Sequence, residues 1–106
     1  FRLLKKQIPI GETFPFQLTI TNPSRRPADA LLDYALHFRR ANGEFSRKVF
    51  KGRRKNLAPG ESWTVHLSHP FRPITTRTYY PGQHRLEPLL NGHPLPAQTF
   101  QLQKSG

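Results

Sequence analysis

The sequence predicts an all-β fold, an immunoglobulin-like β-sandwich of about seven strands, on three observations. Turn residues recur at short, even intervals: Pro9 with Gly11, Asn22-Pro23-Ser24, Ala41-Asn42-Gly43, Ala58-Pro59-Gly60, Tyr80-Pro81-Gly82 and Asn91-Gly92. Between them apolar and polar residues alternate with the period of two of half-buried strands, and no window sustains the 3.6-residue period of a helix. Eleven prolines act in the same direction, because proline ends helices and keeps to turns and sheet edges.

Taken in order, the first strand is expected near 2–8. The second, near 12–21, sets Phe14, Phe16, Leu18 and Ile20 on one face and Thr13, Pro15, Gln17, Thr19 and Thr21 on the other. The third, near 30–40, opposes Leu32, Tyr34, Leu36 and Phe38 to Asp33, His37 and Arg39. The fourth spans 44–56, and the fifth, near 61–69, turns Trp63, Val65 and Leu67 away from Thr64, His66 and Ser68. The sixth, near 82–91, has Leu86 and Leu90 in phase, with His84 where such sandwiches often carry an inward tyrosine at a corner. Phe100 and Leu102 mark the seventh, near 96–103. Asn-Gly occurs twice between strand-like runs, at 42–43 and 91–92, and is the strongest short hairpin signal because both central residues of the favoured turn need positive φ. The long connection from Pro70 to Pro81 is expected to cross between sheets.

A chain of 106 residues fits one domain, with an expected radius of gyration of roughly 13 Å. Such a domain buries about 60 to 65 per cent of its unfolded surface, enough to fold without disulfides or metals. Cysteine is absent, which excludes disulfides, cysteine zinc sites and thiol catalysis and fits a reducing compartment. No apolar run approaches the roughly 20 residues needed to span a bilayer, and no signal-peptide pattern opens the chain. Methionine is also absent and Phe1 begins in strand-like sequence, so the 1–106 domain is expected to be a segment of a longer protein.

Charge is the strongest functional signal. Between Arg39 and Lys55 stand eight basic residues, Arg39, Arg40, Arg47, Lys48, Lys51, Arg53, Arg54 and Lys55, against one acid, Glu44. Edge-strand cations also block aggregation, but that use needs only two or three of them. A run of this density attracts polyanions without choosing among nucleic acid, membrane and acidic protein. The connection from Pro70 to Pro81 adds Phe71, Arg72, Thr75, Thr76, Arg77, Thr78, Tyr79 and Tyr80 with no acid, the groups that contact phosphates and reach into grooves. Phe71 and Ile74 are expected to plug the end of the sandwich, and Arg25 with Arg26 to form a solvated tip.

Catalysis within the segment is not expected. His66 and His69, three apart on a strand, point to opposite faces and cannot share a metal. The carboxylates are scattered, no nucleophile elbow is present, and Lys51-Gly52-Arg53-Arg54-Lys55 matches no phosphate loop. No cofactor is expected.

Several stretches carry a family resemblance: Asp33-Tyr34-Ala35-Leu36-His37-Phe38, Ala41-Asn42-Gly43, Lys48-Val49-Phe50-Lys51, Leu57-Ala58-Pro59-Gly60-Glu61, His69-Pro70-Phe71-Arg72, Thr75-Thr76-Arg77, Tyr79-Tyr80-Pro81-Gly82 and His84. Together they resemble the carboxy-terminal immunoglobulin-like domain of AlkC-type bacterial DNA alkylation repair glycosylases, over nearly the whole chain. The resemblance implies a non-catalytic accessory domain that grips DNA while an upstream domain of HEAT-like helical repeats excises 3-methyladenine or related alkylpurines in base excision repair. It favours Lys48, Lys51, Arg72, Thr76 and Arg77 as DNA-facing. This chain departs from the pattern at Arg47, where proline is expected, and in the added basic run Gly52-Arg53-Arg54-Lys55.

The resulting expectation is a cytoplasmic, monomeric module that meets the phosphate backbone of double-stranded DNA through Arg39, Arg47, Lys48, Lys51, Arg53, Arg54, Lys55, Arg72, Thr76 and Arg77, and that touches the helical-repeat domain of its own chain. The alternative is a protein-protein module whose basic face docks on an acidic partner or on that helical domain, marked by an exposed apolar patch beside the hairpin. A carbohydrate-binding sandwich would need a row of exposed aromatics, for which the sequence offers Tyr79, Tyr80 and Phe45.

Overall fold

The computed structural model describes residues 2–3, 6–71 and 79–104. Among them the chain forms β1 (Arg2–Leu3), β2 (Gln7–Pro9), β3 (Thr13–Thr21), β4 (Ala28–Arg39), β5 (Phe45–Leu57), β6 (Ser62–Pro70), β7 (Gly82–Leu90), β8 (His93–Pro94) and β9 (Gln98–Gln103), with no helix. One sheet has the order β1-β3-β6, the other β2-β9-β7-β4-β5, and β8 hairpins onto β7. The connection after β6 does cross between sheets; its residues 72–78 lie outside the described residues.

Two departures from the expected strands share one cause, the parity of buried positions. The single strand expected near 2–8 is two, β1 antiparallel to β3 in one sheet and β2 parallel to β9 in the other. Leu3 and Ile8 are both buried but five residues apart, so one straight strand would send them to opposite faces. Changing sheets turns both inward. In β5 the half-buried Phe50 and the buried Leu57 are seven apart, and the conflict is resolved by a bulge. Lys51 pairs with Asp33 and Arg53 with Leu32, which leaves Gly52 without an opposite residue. The Gly52 amide donates instead to Asp33 Oδ1 at 3.0 Å, and a Cβ at this position would collide with the Leu32 carbonyl oxygen.

The two Asn-Gly turns differ. Asn91 and Gly92 have φ of 50° and 81° and close a two-residue loop between Leu90 and His93, as expected. At the other, only Gly43 has positive φ, 84°. There the Gly43 amide donates to the Arg40 carbonyl at 3.0 Å and the Arg40 amide to the Glu44 carbonyl at 2.7 Å, a type I turn followed by a glycine bulge. Asn42 stays at negative φ because its Oδ1 accepts from the Glu44 amide at 3.0 Å, holding the loop one residue longer than a primed turn.

The alternating apolar residues read from the sequence form the core, in two parts. One is aliphatic, built on Leu18, Ile20, Ala30, Leu32, Leu57 and Val65. The other is aromatic, around Phe14, Phe16, Tyr34, Phe38, Phe71 and Phe100, with the Phe14 and Phe100 rings 4.3 Å apart. Phe71 is fully buried and does plug the end of the sandwich, its amide donating to Glu12 O and its carbonyl accepting from the Gly11 amide. Ile74 lies outside the described residues. The sheets are also joined by the Tyr34 hydroxyl, 2.9 Å from His69 Nδ1, and burial pushes the Tyr34 pKa up to about 12. His66 is exposed and His69 buried, the opposite faces their spacing predicts.

The radius of gyration is 15.2 Å, larger than the expected value, because the body is elongated, 50 × 23 × 22 Å. The 12-residue β4 and 13-residue β5 set that length at roughly 3.3 Å per residue.

His84 is 1% exposed, among the rings of Phe38, Phe71 and Phe100. Its Nδ1 donates to the Gly82 carbonyl at 3.1 Å, which leaves the Nε2 lone pair buried without a partner among the described residues. Burial lowers its pKa from 6.5, the Gly82 carbonyl partly opposes this, and the Arg39 charge adds to the lowering. The unfolded chain therefore takes up a proton that the folded chain refuses, so stability falls as pH drops below about 6.5. Denaturant titrations from pH 7.5 to 5 are expected to show this loss, with a shallower dependence in His84→Phe; equal slopes would count against it.

Candidate nucleic-acid interface

β5 is an edge strand, and among the described residues it pairs with β4 alone. Cross-strand partners share a face, so the register assigns each cation. Arg39, Arg47, Lys51 and Arg54 lie on the outer face of the sheet, opposite or beside outward residues of β4. Lys48 pairs with Leu36, Arg53 with Leu32 and Lys55 with Ala30, all inward positions, so these three overhang the open side between the sheets. The Gly52 bulge makes this division. Without it Arg53 and Lys55 would join the outer row and Arg54 would leave it.

All eight cations between Arg39 and Lys55 are exposed, but their surroundings differ. Arg47 Nη2 and Nε each lie 3.0 Å from Glu87 Oε1, which is also 3.6 Å from His37 Nε2. Lys55 Nζ lies 3.2 Å from Glu61 Oε2, and the Ala58 amide, then Lys55, hold the Glu61 carboxyl below its ordinary range. Lys48 sits over the Phe50 ring at 5.4 Å. Arg39, Arg40, Lys48, Lys51, Arg53 and Arg54 have no carboxylate within ion-pair distance among the described residues. Asp33, opposite Lys51, spends an oxygen on the Gly52 amide, and Asp29 accepts from Asn56 at 2.8 Å.

The hairpin meets the last residues of the long connection, Tyr79 to Gly82. The Arg39 side chain packs over Gly82, where the connection from β6 ends, and Tyr80 beside it is exposed. Arg72, Thr76 and Arg77 lie outside the described residues. Arg25 and Arg26 form the exposed tip read from the sequence, tied down by Asn22, whose Nδ2 donates to the Arg26 and Leu57 carbonyls. Arg47, at the position for which proline is expected, stands in regular pairing with His37.

The sequence reading offered Phe45 and Tyr80 as exposed aromatics but missed Arg85, Glu87, Leu31 and Val49. Arg85 of β7 reaches the outer face and stacks over Phe45 at 5.1 Å; nothing local announces it, because β7 joins β4 across a long crossover. Phe45, Val49 and Leu31 are 38%, 46% and 37% exposed on the same outer face, but the register sets Arg47 between the first two and Lys51 between the last two, so they are spread along the strands rather than joined in one apolar patch. Among the described residues no three His, Asp or Glu side chains gather as a metal site, and no helix is long and apolar enough to cross a membrane.

Two sheets closed by crossovers, with a bulged cationic edge strand, define an immunoglobulin-like sandwich. The chain belongs to the family described as "Uncharacterised protein YhaZ, C-terminal Ig-like domain", whose model matches residues 1–104. It is 33% identical over 97 residues to "Uncharacterized protein YhaZ" of Bacillus subtilis (strain 168), a match covering 92% of this chain and 27% of that protein. It also resembles a solved structure described as Pseudomonas fluorescens alkylpurine DNA glycosylase AlkC bound to DNA containing an abasic site analog. That similarity has a TM-score of 0.90 and 29% identity, over 95% of this chain and 28% of the other. A β-glucosidase from Listeria innocua matches at TM-score 0.78 and 18% identity, over 95% of this chain and 15% of that one, a likeness of fold alone. The chain thus spans about a quarter of the length of the curated relative and of the glycosylase.

Proposed function

We propose that this domain is a DNA-gripping accessory module of a longer, cytoplasmic alkylpurine DNA glycosylase, whose catalytic residues lie in a helical-repeat domain upstream. The observation that carries the reading is the set of six exposed hairpin cations that have no carboxylate partner among the described residues, five of them on the 50 Å body's longest hairpin strands. Cations kept for stability alone would be expected in pairs, since unpaired ones repel one another. The likeness to a glycosylase solved with DNA supports the choice of polyanion. Contacts of this kind give affinity without sequence preference, as suits a search for rare lesions. With about five phosphate contacts, log affinity for duplex DNA should fall against log salt with a slope of roughly −4 to −5. Fluorescence anisotropy across a salt series measures it, and a slope near zero rejects the reading.

A second reading has its own support. The exposed Phe45 and Val49, which flank Arg47 and its ion pair with Glu87 on the outer face, suit docking on the parent's helical domain or on an acidic partner. Val49→Ser, which adds no charge to the cationic face, separates the two: it should weaken a protein contact while leaving the salt slope on DNA unchanged.

A further inference from the structure

The two strands that border the open side of the sandwich are built in opposite ways. β5 carries a bulge and exposed cations, two devices that keep an edge from recruiting another strand. β6 has neither. Its residues from Ser62 to Pro70 include no Asp, Glu, Lys or Arg, and it pairs with β3 in unbroken register from Thr13↔Pro70 to Thr21↔Ser62. Among the described residues β3 is its one partner, and none of them pairs with its other edge. The outward hydroxyls of the pair satisfy each other, Thr19 with Thr64 at 3.0 Å and Thr21 with Ser62 at 2.8 Å. On the inward side Trp63 and Leu67 of β6 are left half-buried, as is Phe50 of β5, which makes the seam between the edges apolar. Lys48, Arg53 and Lys55 overhang that seam, and Lys55 already reaches across it to Glu61.

We propose that the edge of β6 from Ser62 to Ser68, which no described residue pairs, is an acceptor site for an extended acidic peptide segment, which adds as a fourth strand beside β6. An unbroken edge supplies main-chain hydrogen bonds, and alternate side chains supply the choice of ligand. Side chains of the added strand that turn inward lie against the Trp63 and Leu67 seam and come under Lys48 and Arg53, so carboxylates at alternate positions are favoured there. A second copy of this chain would bring its own net charge of +11 to the same cations and is repelled. The inference goes beyond DNA binding and stands or falls separately from it.

Trp63 is the chain's one tryptophan and lies on the seam, so it reports occupancy directly. The probes are a peptide of alternating Glu and Thr and its Lys and Thr counterpart of equal length. The acidic peptide is expected to shift Trp63 emission to the blue and to slow amide exchange at alternate residues of β6; the basic one should do neither. Lys48→Glu combined with Arg53→Glu, both exposed, should weaken the acidic peptide about tenfold without moving the thermal midpoint. Protection of β5 in place of β6, equal affinity for both peptides, or full affinity in the double variant overturns the proposal. Dimerisation through β6 without peptide overturns it too.

Discussion

Replacing Gly52 by alanine is expected to destabilise the domain by about 3 kcal/mol, more than most core truncations to a smaller neighbour. The added Cβ would meet the Leu32 carbonyl oxygen and carbon, which are backbone atoms of the central strand β4 and cannot swing aside as a flexible side chain can. Relief requires opening the β4–β5 pairing at the bulge, which also breaks the bond from the Gly52 amide to Asp33. Losing the bulge altogether is no escape, since a regular strand cannot keep both Phe50 and Leu57 turned inward. For a domain of this size the loss corresponds to a fall in Tm of roughly 12 °C or more. Chemical denaturation of Gly52→Ala beside Val49→Ala, an exposed change on the same strand, measures it. A difference under about 1 kcal/mol would mean that β5 tolerates another register.

That glycine also marks where the sequence could be read and where it could not. Strand positions were legible because Phe14 to Ile20 alternate without interruption and Leu32 to Phe38 do so with Ala35 alone out of phase, and the in-phase residues are buried as the alternation requires. The breaks were harder. Leu3 with Ile8, and Phe50 with Leu57, are separated by odd numbers of residues, so the parity conflict was present in the sequence. Its two resolutions, a change of sheet and a bulge, depend on which neighbour strand offers a partner, and that is decided by tertiary pairing. The same holds for the interface. The cations could be named from composition, but their division into an outer row and an overhanging row follows from Gly52. The neutralisation of Arg47 depends on Glu87, 40 residues away in sequence. A run counted as eight positive charges against one acid is, once folded, six open cations and two held in ion pairs among the described residues.

This difference makes the DNA reading sharper than a general appeal to positive charge. Removing Arg39, Lys51, Arg53 and Arg54 together, as alanines, is expected to lower affinity for duplex DNA on the order of a hundredfold at physiological salt and to flatten the salt slope by about three to four. Each is exposed and outside the core, so the thermal midpoint should stay within about 4 °C of the parent value. Arg47→Ala with Lys55→Ala removes half as many charges, but Glu87 and Glu61 already compete for them, and part of any phosphate contact would be offset by the ion pair it displaces. That pair should therefore change affinity only a few-fold and the slope by less than about one. Equal effects per charge in the two variants would show that the ion pairs do not hold in solution. A fourfold variant that binds DNA normally would remove the hairpin from the DNA interface and leave the outward Phe45 and Val49, on either side of Arg47, as the residues through which this edge docks on protein.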